Sequence, residues 1–329
     1  MDSQHKLKPF NTLRLDSVCE RYVPINSLSD LESLPRDLKV SDMLILAGGS
    51  NVLLSPVINR LVAHIQPRNH IQIVDNLVVA WAGTSWHELV VWAVSKQLGG
   101  IENLALIPGT VGAAPIQNIG AYGVEIKDVL AWVEIYNWHT GGYHRLSNED
   151  CHFSYRHSLF RYHDQPWIIS RVGLDLRPNR PVNLSYPALN QYLSDNKNPS
   201  YADVAKAVTE IRQSKLPNPT QLPNAGSFFK NPVIDRHQAE KLAAKHKKIP
   251  LYPVPNKPDI KKTSAAWLLE KCHFKGKRHG DAGFYDKHAL ILVNHGRATH
   301  QDIFTLIQSA KKAVKSKFGI TLEEEVRIV

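Results

Sequence analysis

Residues 101–123 constrain the fold of this chain more than any other stretch. They hold four glycines and two prolines among small residues, and Glu102 is their only charged residue. Such a stretch lets the backbone approach another group closely, because glycine has no Cβ. An ordinary surface loop is the alternative, but such loops carry more charge than these residues do. The composition therefore predicts a segment that lies against a ligand or against another backbone.

Periodicity and punctuation predict several domains of mixed type. A chain of 329 residues is long for one hydrophobic core, so two or three domains are expected. Strands are predicted at 42–47, 130–137 and 167–176, with a hairpin over 71–80 and a helix over 86–98. Pro217 and Pro219 mark a linker after a further helix. Strands and helices alternate irregularly, which indicates an α+β protein.

Composition excludes several classes of protein. No apolar segment is long enough to span a bilayer, and the first nine residues lack the apolar core of a signal peptide. Three scattered cysteines form neither a disulfide framework nor a metal motif, and the sixteen histidines show no metal-binding spacing. We therefore expect a cytoplasmic protein without a metal ion.

The positive charge of the chain admits three interpretations. Lysine and arginine total 40 against 30 acidic residues, which gives a net charge of +10. Nucleic-acid binding, a site that collects anionic ligands, and a basic solvated surface all fit this number. The basic residues are spread along the chain and no nucleic-acid-binding motif is present, so nucleic-acid binding is the weakest of the three.

A glycine turn follows the predicted strand at 42–47. Gly48-Gly49-Ser50-Asn51 can present successive backbone N–H groups to an anion such as a phosphate. The pattern is not G-x-G-x-x-G and no helix follows it, so a dinucleotide-binding Rossmann fold is not supported. Tight turns of other kinds share this pattern.

Three polar residues are candidates for chemistry, each beside a structural alternative. Arg156 lies between aromatic residues and could hold a carboxylate, or could simply stack on Tyr155. Ser227 follows a glycine in a turn, where serine is more often a local backbone cap. Glu325 ends a run of three glutamates that usually faces water. Strand alternation would place Glu323 and Glu325 on one face, where a carboxyl group could donate a proton.

Taken in order, these stretches resemble the UDP-N-acetylenolpyruvoylglucosamine reductase family along nearly the whole chain. The matching motifs are Gly49-Ser50-Asn51-Val52-Leu53, residues 102–109, residues 115–125, Tyr155-Arg156, Lys215-Leu216-Pro217, residues 225–232, residues 265–268 and Glu325-Val326-Arg327. Each motif is modest alone, and their shared order makes the resemblance specific. The segment around Tyr186 resembles the longer, type I branch of the family.

The resemblance implies a two-part FAD-binding module of the vanillyl-alcohol-oxidase type plus a C-terminal α+β substrate-binding domain. The implied domains are residues 1–65, joined by the C-terminal strand 320–329, residues 66–216 and residues 217–319. FAD would be bound non-covalently. The residues implied to contact it are Gly48, Gly49, Ser50, Asn51, Val52, Pro108, Gly109, Gly112, Gln117, Asn118, Ile119, Gly120, Tyr122 and Gly123.

The resemblance also implies the chemistry. NADPH would reduce FAD, and the hydride would then pass to the β-carbon of an enolpyruvyl ether on a UDP-sugar. Arg156 would stabilise the charge that develops on the substrate carboxylate, Glu325 would assist, and Ser227 would protonate the α-carbon. The residues implied to hold the substrate are Tyr155, Tyr186, Lys215, Asn231, Tyr252 and His288.

Three positions depart from the family pattern, and two alternative functions stay open. Ala47 and Ala266 stand where the family usually has glycine, and His288 stands where glutamine is expected. A flavin oxidase of the same fold acting on another substrate is the first alternative, and a non-catalytic nucleic-acid binder is the second. We expect a monomer that binds neither nucleic acid nor membrane.

Overall fold

The computed structural model describes residues 4–162, 164–254 and 257–329, so residues 1–3 of the predicted first domain lie outside it. The chain packs into two compact units. Apart from residues 163 and 255–256, which are not described, the first unit comprises residues 4–5, 18–49 and 58–214, and the second comprises 6–17, 50–57 and 215–329. In the described part of the chain, no helix combines the length and apolar character needed to cross a membrane.

A five-stranded antiparallel sheet forms the centre of the first unit. Its strands, in spatial order, are Gly142–Ser147, Leu130–Asn137, Trp167–Leu174, Leu77–Trp81 and Ile71–Val74. The predicted hairpin is confirmed: Asp75 and Asn76 both have positive φ, of 50° and 62°. Two such residues match the right-handed twist of the flanking strands.

A three-stranded parallel sheet lies in the same unit. Its spatial order is Tyr22–Ile25, Leu61–Ile65 and Met43–Leu46. The middle strand is buried at every residue, as parallel strands usually are. The helices of this unit are Leu28–Glu32, Trp86–Ser95, Pro187–Tyr192 and Tyr201–Lys215, the last of which ends at the first residue of the second unit.

The second unit combines two sheets with three helices. One sheet has the order Asn224–Ser227, Ile291–Asn294, Ala282–Phe284 and Arg278–His279, and the other has the order Val233–Asp235, Lys257–Thr263 and Leu251–Val254. The helices are Arg236–Lys245, Ala265–Lys271 and His300–Phe318. A parallel pair of short strands joins Val52–Leu53 to Arg327–Ile328.

The longest helix shows why these residues form helix. Thr299 and Asp302 make a reciprocal capping box at its start, and Gly319 ends it with φ 66°. Ile303, Leu306 and Ile307 are buried at helical spacing. Burying each of them contributes about 1.5–3 kcal/mol.

The remaining elements are short. The other strands are His5–Lys6, Val18–Cys19, Val57–Ile58, Gly120–Ala121 and Val124–Glu125. Single-turn 3₁₀ helices occupy Lys8–Phe10, Val40–Asp42, Glu102–Leu104, Val111–Ala113, Pro115–Gln117 and Ile126–Asp128.

The structure confirms the α+β class and corrects the C-terminal strand. Only Arg327–Ile328 is a strand, whereas Glu323 and Glu325 lie in irregular chain with a single bridge from Glu324 to Phe229. The expected strand alternation of the three glutamates is therefore wrong. The boundary of the second unit at Lys215 lies close to the predicted linker. The division into 1–65, 66–216 and 217–319 stays a prediction.

Candidate functional site

Two glycine-containing segments of the first unit approach each other closely. A Cβ built on Gly48 would lie 3.7 Å from Gly109 Cα and 3.8 Å from the Thr110 methyl group. Gly49 has φ 58°, in the left-handed region that favours glycine. Chain segments about 60 residues apart thus form one uncharged backbone surface. Such a surface suits a cofactor whose phosphates accept hydrogen bonds from backbone N–H groups.

Main-chain hydrogen bonds fix the loop that carries Gly109. The Gly109 carbonyl accepts from the Trp86 N–H at 3.0 Å, and the Gly112 N–H donates to the Ala82 carbonyl at 2.9 Å. A Cβ on Gly112 would lie only 2.6 Å from the Ala82 Cβ, so this position needs glycine for packing. The one charged residue, Glu102, is buried and accepts from the Gly100 N–H at 2.6 Å.

The same loop contains unusual backbone at three positions. Leu106, Asn118 and Tyr122 all have positive φ, of 59°, 49° and 49°. Non-glycine residues adopt this region rarely, and it usually needs support from surrounding contacts. Asn118 has that support: it is fully buried, and its amide donates to Glu125 at 2.8 Å and to the Ser154 carbonyl at 3.2 Å.

Two guanidinium groups lie near Tyr122. Arg156, with φ 52°, donates from Nη2 to the Gly120 carbonyl at 3.0 Å and lies 5.6 Å from the Tyr155 ring centroid. Arg212, on the helix Tyr201–Lys215, is the second. Burial lowers the pKa of Arg212, the Tyr122 hydroxyl opposes this, and the charge of Arg156 lowers the pKa further. Arg156 and Arg212 are both half-buried, and two neighbouring guanidinium groups favour an anion between or beside them.

Sequence reasoning missed Arg212. Its Nε is buried without a hydrogen-bond partner among the described residues. The available signal was its position three residues before Lys215 in the Lys-Leu-Pro motif, on the same helix. Nothing in that spacing reveals which of the two neighbouring basic residues is enclosed.

The other predicted residues of the first unit lie around this loop. The rings of Tyr122 and Tyr186 meet edge to face at 5.0 Å, although Tyr186 is 43% exposed. Gln117 accepts from Arg161 at 3.1 Å, and the Gly123 carbonyl accepts from Asn183 at 3.1 Å. Pro108 is exposed and Ile119 is half-buried.

Ser227 ends a distorted strand in the second unit. The strand pairs Asn224 with Val293 and Ser227 with Ile291, with a shift of register between the two pairs. Gly226 causes that shift with φ 71°, and the Asn224 side chain accepts from its N–H at 3.0 Å. Ser227 is half-buried and lies at this irregularity in the sheet, which holds its backbone in place.

Backbone hydrogen bonds bring Glu325 next to Ser227. The Phe228 carbonyl, one residue after Ser227, accepts from the Glu325 N–H at 2.8 Å. The Asn51 amide donates to the Glu325 carbonyl at 3.3 Å, and the Asn51 carbonyl accepts from the Arg327 N–H at 3.0 Å. The second half of the glycine turn, Ser50 to Val52, is therefore tied to the C-terminal segment.

The neighbouring glutamates have cationic partners. Glu324 pairs with Lys311 at 2.7 Å, and Glu323 pairs with Lys230 at 3.4 Å. The Glu323 side chain is 74% exposed, whereas Glu325 is half-buried. The three consecutive glutamates thus differ in exposure and in ion-pair partner, because the chain that carries them is irregular.

His288 is a neutral imidazole near Lys215. Burial lowers its pKa, Glu270 opposes this, and Lys275 and Lys215 lower it further. Its Nδ1 accepts from the Leu290 N–H at 3.3 Å, which places the single ring proton on Nε2. His288 can therefore donate one hydrogen bond near neutral pH, as the expected glutamine would.

The last two predicted substrate residues lie in the second unit. The Asn231 side-chain carbonyl accepts from the Ala265 N–H at 3.0 Å, which orients its amide at the start of a helix. Tyr252 is 49% exposed, on the strand Leu251–Val254. The structure places Tyr122, Arg156 and Arg212 together in one unit, and Ser227 and Glu325 together in the other.

Two family descriptions match the chain. Residues 218–329 match the C-terminal domain of UDP-N-acetylenolpyruvoylglucosamine reductase, and residues 30–147 match an FAD binding domain.

Relatives named UDP-N-acetylenolpyruvoylglucosamine reductase are similar along most of the chain. The protein of Flavobacterium johnsoniae is 38% identical and covers 100% of this chain and 99% of the relative. That of Xylella fastidiosa is 43% identical over 87% and 83% of the two chains. The crystal structure of the reductase from Thermus caldophilus superposes with a TM-score of 0.69 at 25% identity, and covers 99% of this chain and 98% of that one.

Proposed function

Because this chain belongs to the UDP-N-acetylenolpyruvoylglucosamine reductase family, we propose that it reduces the enolpyruvyl ether of its UDP-sugar to UDP-N-acetylmuramate in peptidoglycan precursor synthesis. FAD is its cofactor and NADPH its hydride donor. The observation that carries the proposal is the similarity to the Flavobacterium johnsoniae reductase along the whole chain. The enzyme acts in the cytoplasm as a monomer.

The glycine turn and the loop 106–123 suit FAD. A Cβ on Gly48 would meet only ordinary contacts, the nearest of them Gly109 Cα at 3.7 Å, and the loop 106–123 adds no charge that would repel phosphates. Gly48, Gly49, Ser50 and Asn51 would hold the diphosphate through backbone N–H groups. When bound, FAD supplies two-electron transfer between nicotinamide and the substrate double bond. Gly112 supports this surface through its packing against Ala82.

Arg156 holds the substrate carboxylate. As hydride reaches the β-carbon of the double bond, negative charge moves from the α-carbon toward that carboxylate. A guanidinium already fixed by the Gly120 carbonyl at 3.0 Å stabilises this charge without reorganising. Arg212 supports the proposal as a second enclosed cation beside Tyr122 and Arg156.

Ser227 delivers the proton that completes the reduction at the α-carbon. A serine hydroxyl is a weak acid in water, so it acts only when held close to a strongly basic carbon. Its place beside the Gly226 irregularity restricts the backbone that carries it. Glu325 assists this step from the segment bonded to the Phe228 carbonyl.

The UDP portion is held by the other predicted residues. Lys215 and Asn231 contact the diphosphate, and Tyr155, Tyr186, Tyr252 and His288 contact the neighbouring sugar and phosphate groups. A neutral His288 donates through Nε2, which fills the role of the expected glutamine. This use of Lys215 accounts for only part of the net charge of +10.

An anaerobic absorption experiment tests the proposal. The purified protein is loaded with FAD, then reduced with NADPH, then mixed with UDP-N-acetylglucosamine enolpyruvate. We expect bleaching near 450 nm with NADPH and recovery of colour only with the enolpyruvyl substrate. UDP-N-acetylglucosamine, which lacks the double bond, serves as the control and leaves the flavin reduced.

Two outcomes would contradict the proposal. A protein that takes up no FAD would overturn both cofactor and reaction. A reduced protein that ignores the enolpyruvyl substrate but recovers colour rapidly in air would indicate an oxidase with a different substrate.

A further inference from the structure

A buried histidine lies behind the glycine turn and has no part in the proposed chemistry. His64 is 2% exposed and sits on the buried parallel strand Leu61–Ile65. It is in register with Leu46 on the adjacent strand. Ala47 and Gly48 follow Leu46 directly, so the imidazole lies beside the point where the glycine turn begins.

The Nδ1 side of His64 faces two donors. The Tyr22 hydroxyl is 2.6 Å from Nδ1, and the Gln66 amide nitrogen is 2.9 Å from it. Gln66 also donates to the Tyr22 oxygen at 3.0 Å. Tyr22 is held in turn by His5, whose ring stacks on it at 3.6 Å. Since an amide nitrogen can only donate, Nδ1 is the acceptor and the ring proton is on Nε2.

The other side of the ring bonds to the backbone of Ala47. With the proton on Nε2, the imidazole donates and the Ala47 carbonyl accepts. Burial lowers the pKa of His64 to about 4, so the ring is neutral near pH 7 and keeps this single arrangement of donor and acceptor. A chain of hydrogen bonds thus leads from Gln66 through Tyr22 and His64 to Ala47.

We infer that His64 is a positioning residue for the glycine turn. By holding the Ala47 carbonyl, it fixes the Ala47–Gly48 peptide plane, which carries the Gly48 N–H group and comes directly before the peptide plane of the Gly49 N–H group. This inference rests on the proposed function, in which that turn binds the FAD diphosphate. Two consecutive glycines are otherwise the freest backbone in a chain. A bond to the preceding carbonyl restricts them before the ligand arrives, which favours binding. Outer-shell hydrogen bonds tune metal sites in the same way.

FAD titration of four apoproteins tests this role. Quenching of FAD fluorescence gives the Kd for wild type, His64→Phe, His64→Gln and Trp138→Phe. Phenylalanine removes both hydrogen bonds of the ring, whereas the glutamine amide can still donate to the Ala47 carbonyl. Trp138→Phe is the matched control, because it removes another buried ring N–H bond to a backbone carbonyl, from Trp138 to Leu38 at 2.9 Å.

We expect His64→Phe to weaken FAD binding about tenfold, the loss typical of one supporting hydrogen bond. His64→Gln should recover most of that affinity, and Trp138→Phe should bind as wild type does. The thermal midpoint of each apoprotein is recorded, because a purely structural role would lower the midpoint in both aromatic variants without moving the Kd.

The outcomes separate the two proposals. Wild-type affinity in a folded His64→Phe protein would overturn this inference alone, whereas a wild-type protein that binds no FAD would overturn the proposed function and this inference with it. If His64→Phe does not fold, Tyr22→Phe replaces it. That variant keeps the His64 imidazole but removes the Tyr22 hydroxyl that donates to its Nδ1, and it should weaken FAD binding about threefold. Unchanged FAD affinity in Tyr22→Phe would overturn the inference too.

Discussion

The loop 106–123 and the segment 323–329 hold their predicted functional residues by different means. The loop uses unusual backbone: Leu106, Asn118 and Tyr122 all have positive φ. No residue of the described segment 323–329 has positive φ. There, Glu325 donates its N–H to the Phe228 carbonyl and accepts from the Asn51 amide, and the Lys311–Glu324 ion pair adds a further contact.

This difference matches what each region would do. In the proposed function the loop would present backbone to a flat, phosphate-bearing cofactor, so its shape would be the functional feature. The C-terminal segment would supply one carboxyl group to the reaction, so the placement of single atoms would matter. Variants should therefore separate the two regions: changes of shape in the first should alter binding, and changes of single groups in the second should alter rate.

Ser227→Ala should give the largest effect. Loss of a positioned general acid slows the protonation step by about 10²–10⁴-fold, while reduction by NADPH keeps its wild-type rate. Stopped-flow absorption near 450 nm measures the two half-reactions separately. Ser264→Ala is the control, since its hydroxyl only caps a helix by accepting from the Trp267 N–H at 3.2 Å. Equal rates of substrate reduction in Ser227→Ala and wild type would refute the role of Ser227.

Glu325→Gln should give the next largest effect, about 10²-fold in the same half-reaction. Its backbone bonds do not involve the carboxyl group, and the glutamine amide keeps the size of the side chain. Glu323→Gln, two residues earlier and 74% exposed, is the matched control and should leave the rate within twofold. If the two variants slow the reaction equally, the effect comes from the net charge of the segment and Glu325 has no special part.

Two glycine variants sharpen the first half of the comparison. Gly112→Ala places a Cβ 2.6 Å from Ala82, and the resulting overpacking should lower the free energy of unfolding by about 1–3 kcal/mol. Gly48→Ala meets only ordinary contacts at 3.7 Å and beyond, so its free energy of unfolding should lie within about 0.5 kcal/mol of the wild-type value. It should nevertheless bind FAD more weakly. Urea denaturation of the apoproteins and FAD titration measure the two effects. A lower free energy of unfolding in Gly48→Ala together with normal FAD affinity would contradict the proposed binding of FAD by the glycine turn.

The sequence by itself determined the class of the fold, the elements with strong periodicity and the family. The hairpin at Asp75-Asn76 and the helix Trp86–Ser95 were predictable, because turn chemistry, caps and apolar spacing are local properties. The glycine turn and the loop 101–123 were visible as segments because their composition departs from that of ordinary loops. The residues of the candidate site followed from the resemblance, which carries the order of motifs but no contacts.

Only the tertiary structure decided which of these residues meet. Gly48 and Gly109 are about 60 residues apart, and Asn51 bonds to Glu325 across 274 positions. His64 gave no signal in the sequence, and the spacing of Arg212 from Lys215 does not show which of the two is buried. The burial of a guanidinium and the tautomer of an imidazole depend on neighbours from other elements. The alternation expected for a strand failed for the three glutamates because they lie in irregular chain, which is hydrogen-bonded to the backbone of Phe228 and Lys230. The sequence pattern shows which way a side chain points only within a regular helix or strand. Several of the predicted catalytic residues of this chain, such as Glu325, lie outside regular secondary structure.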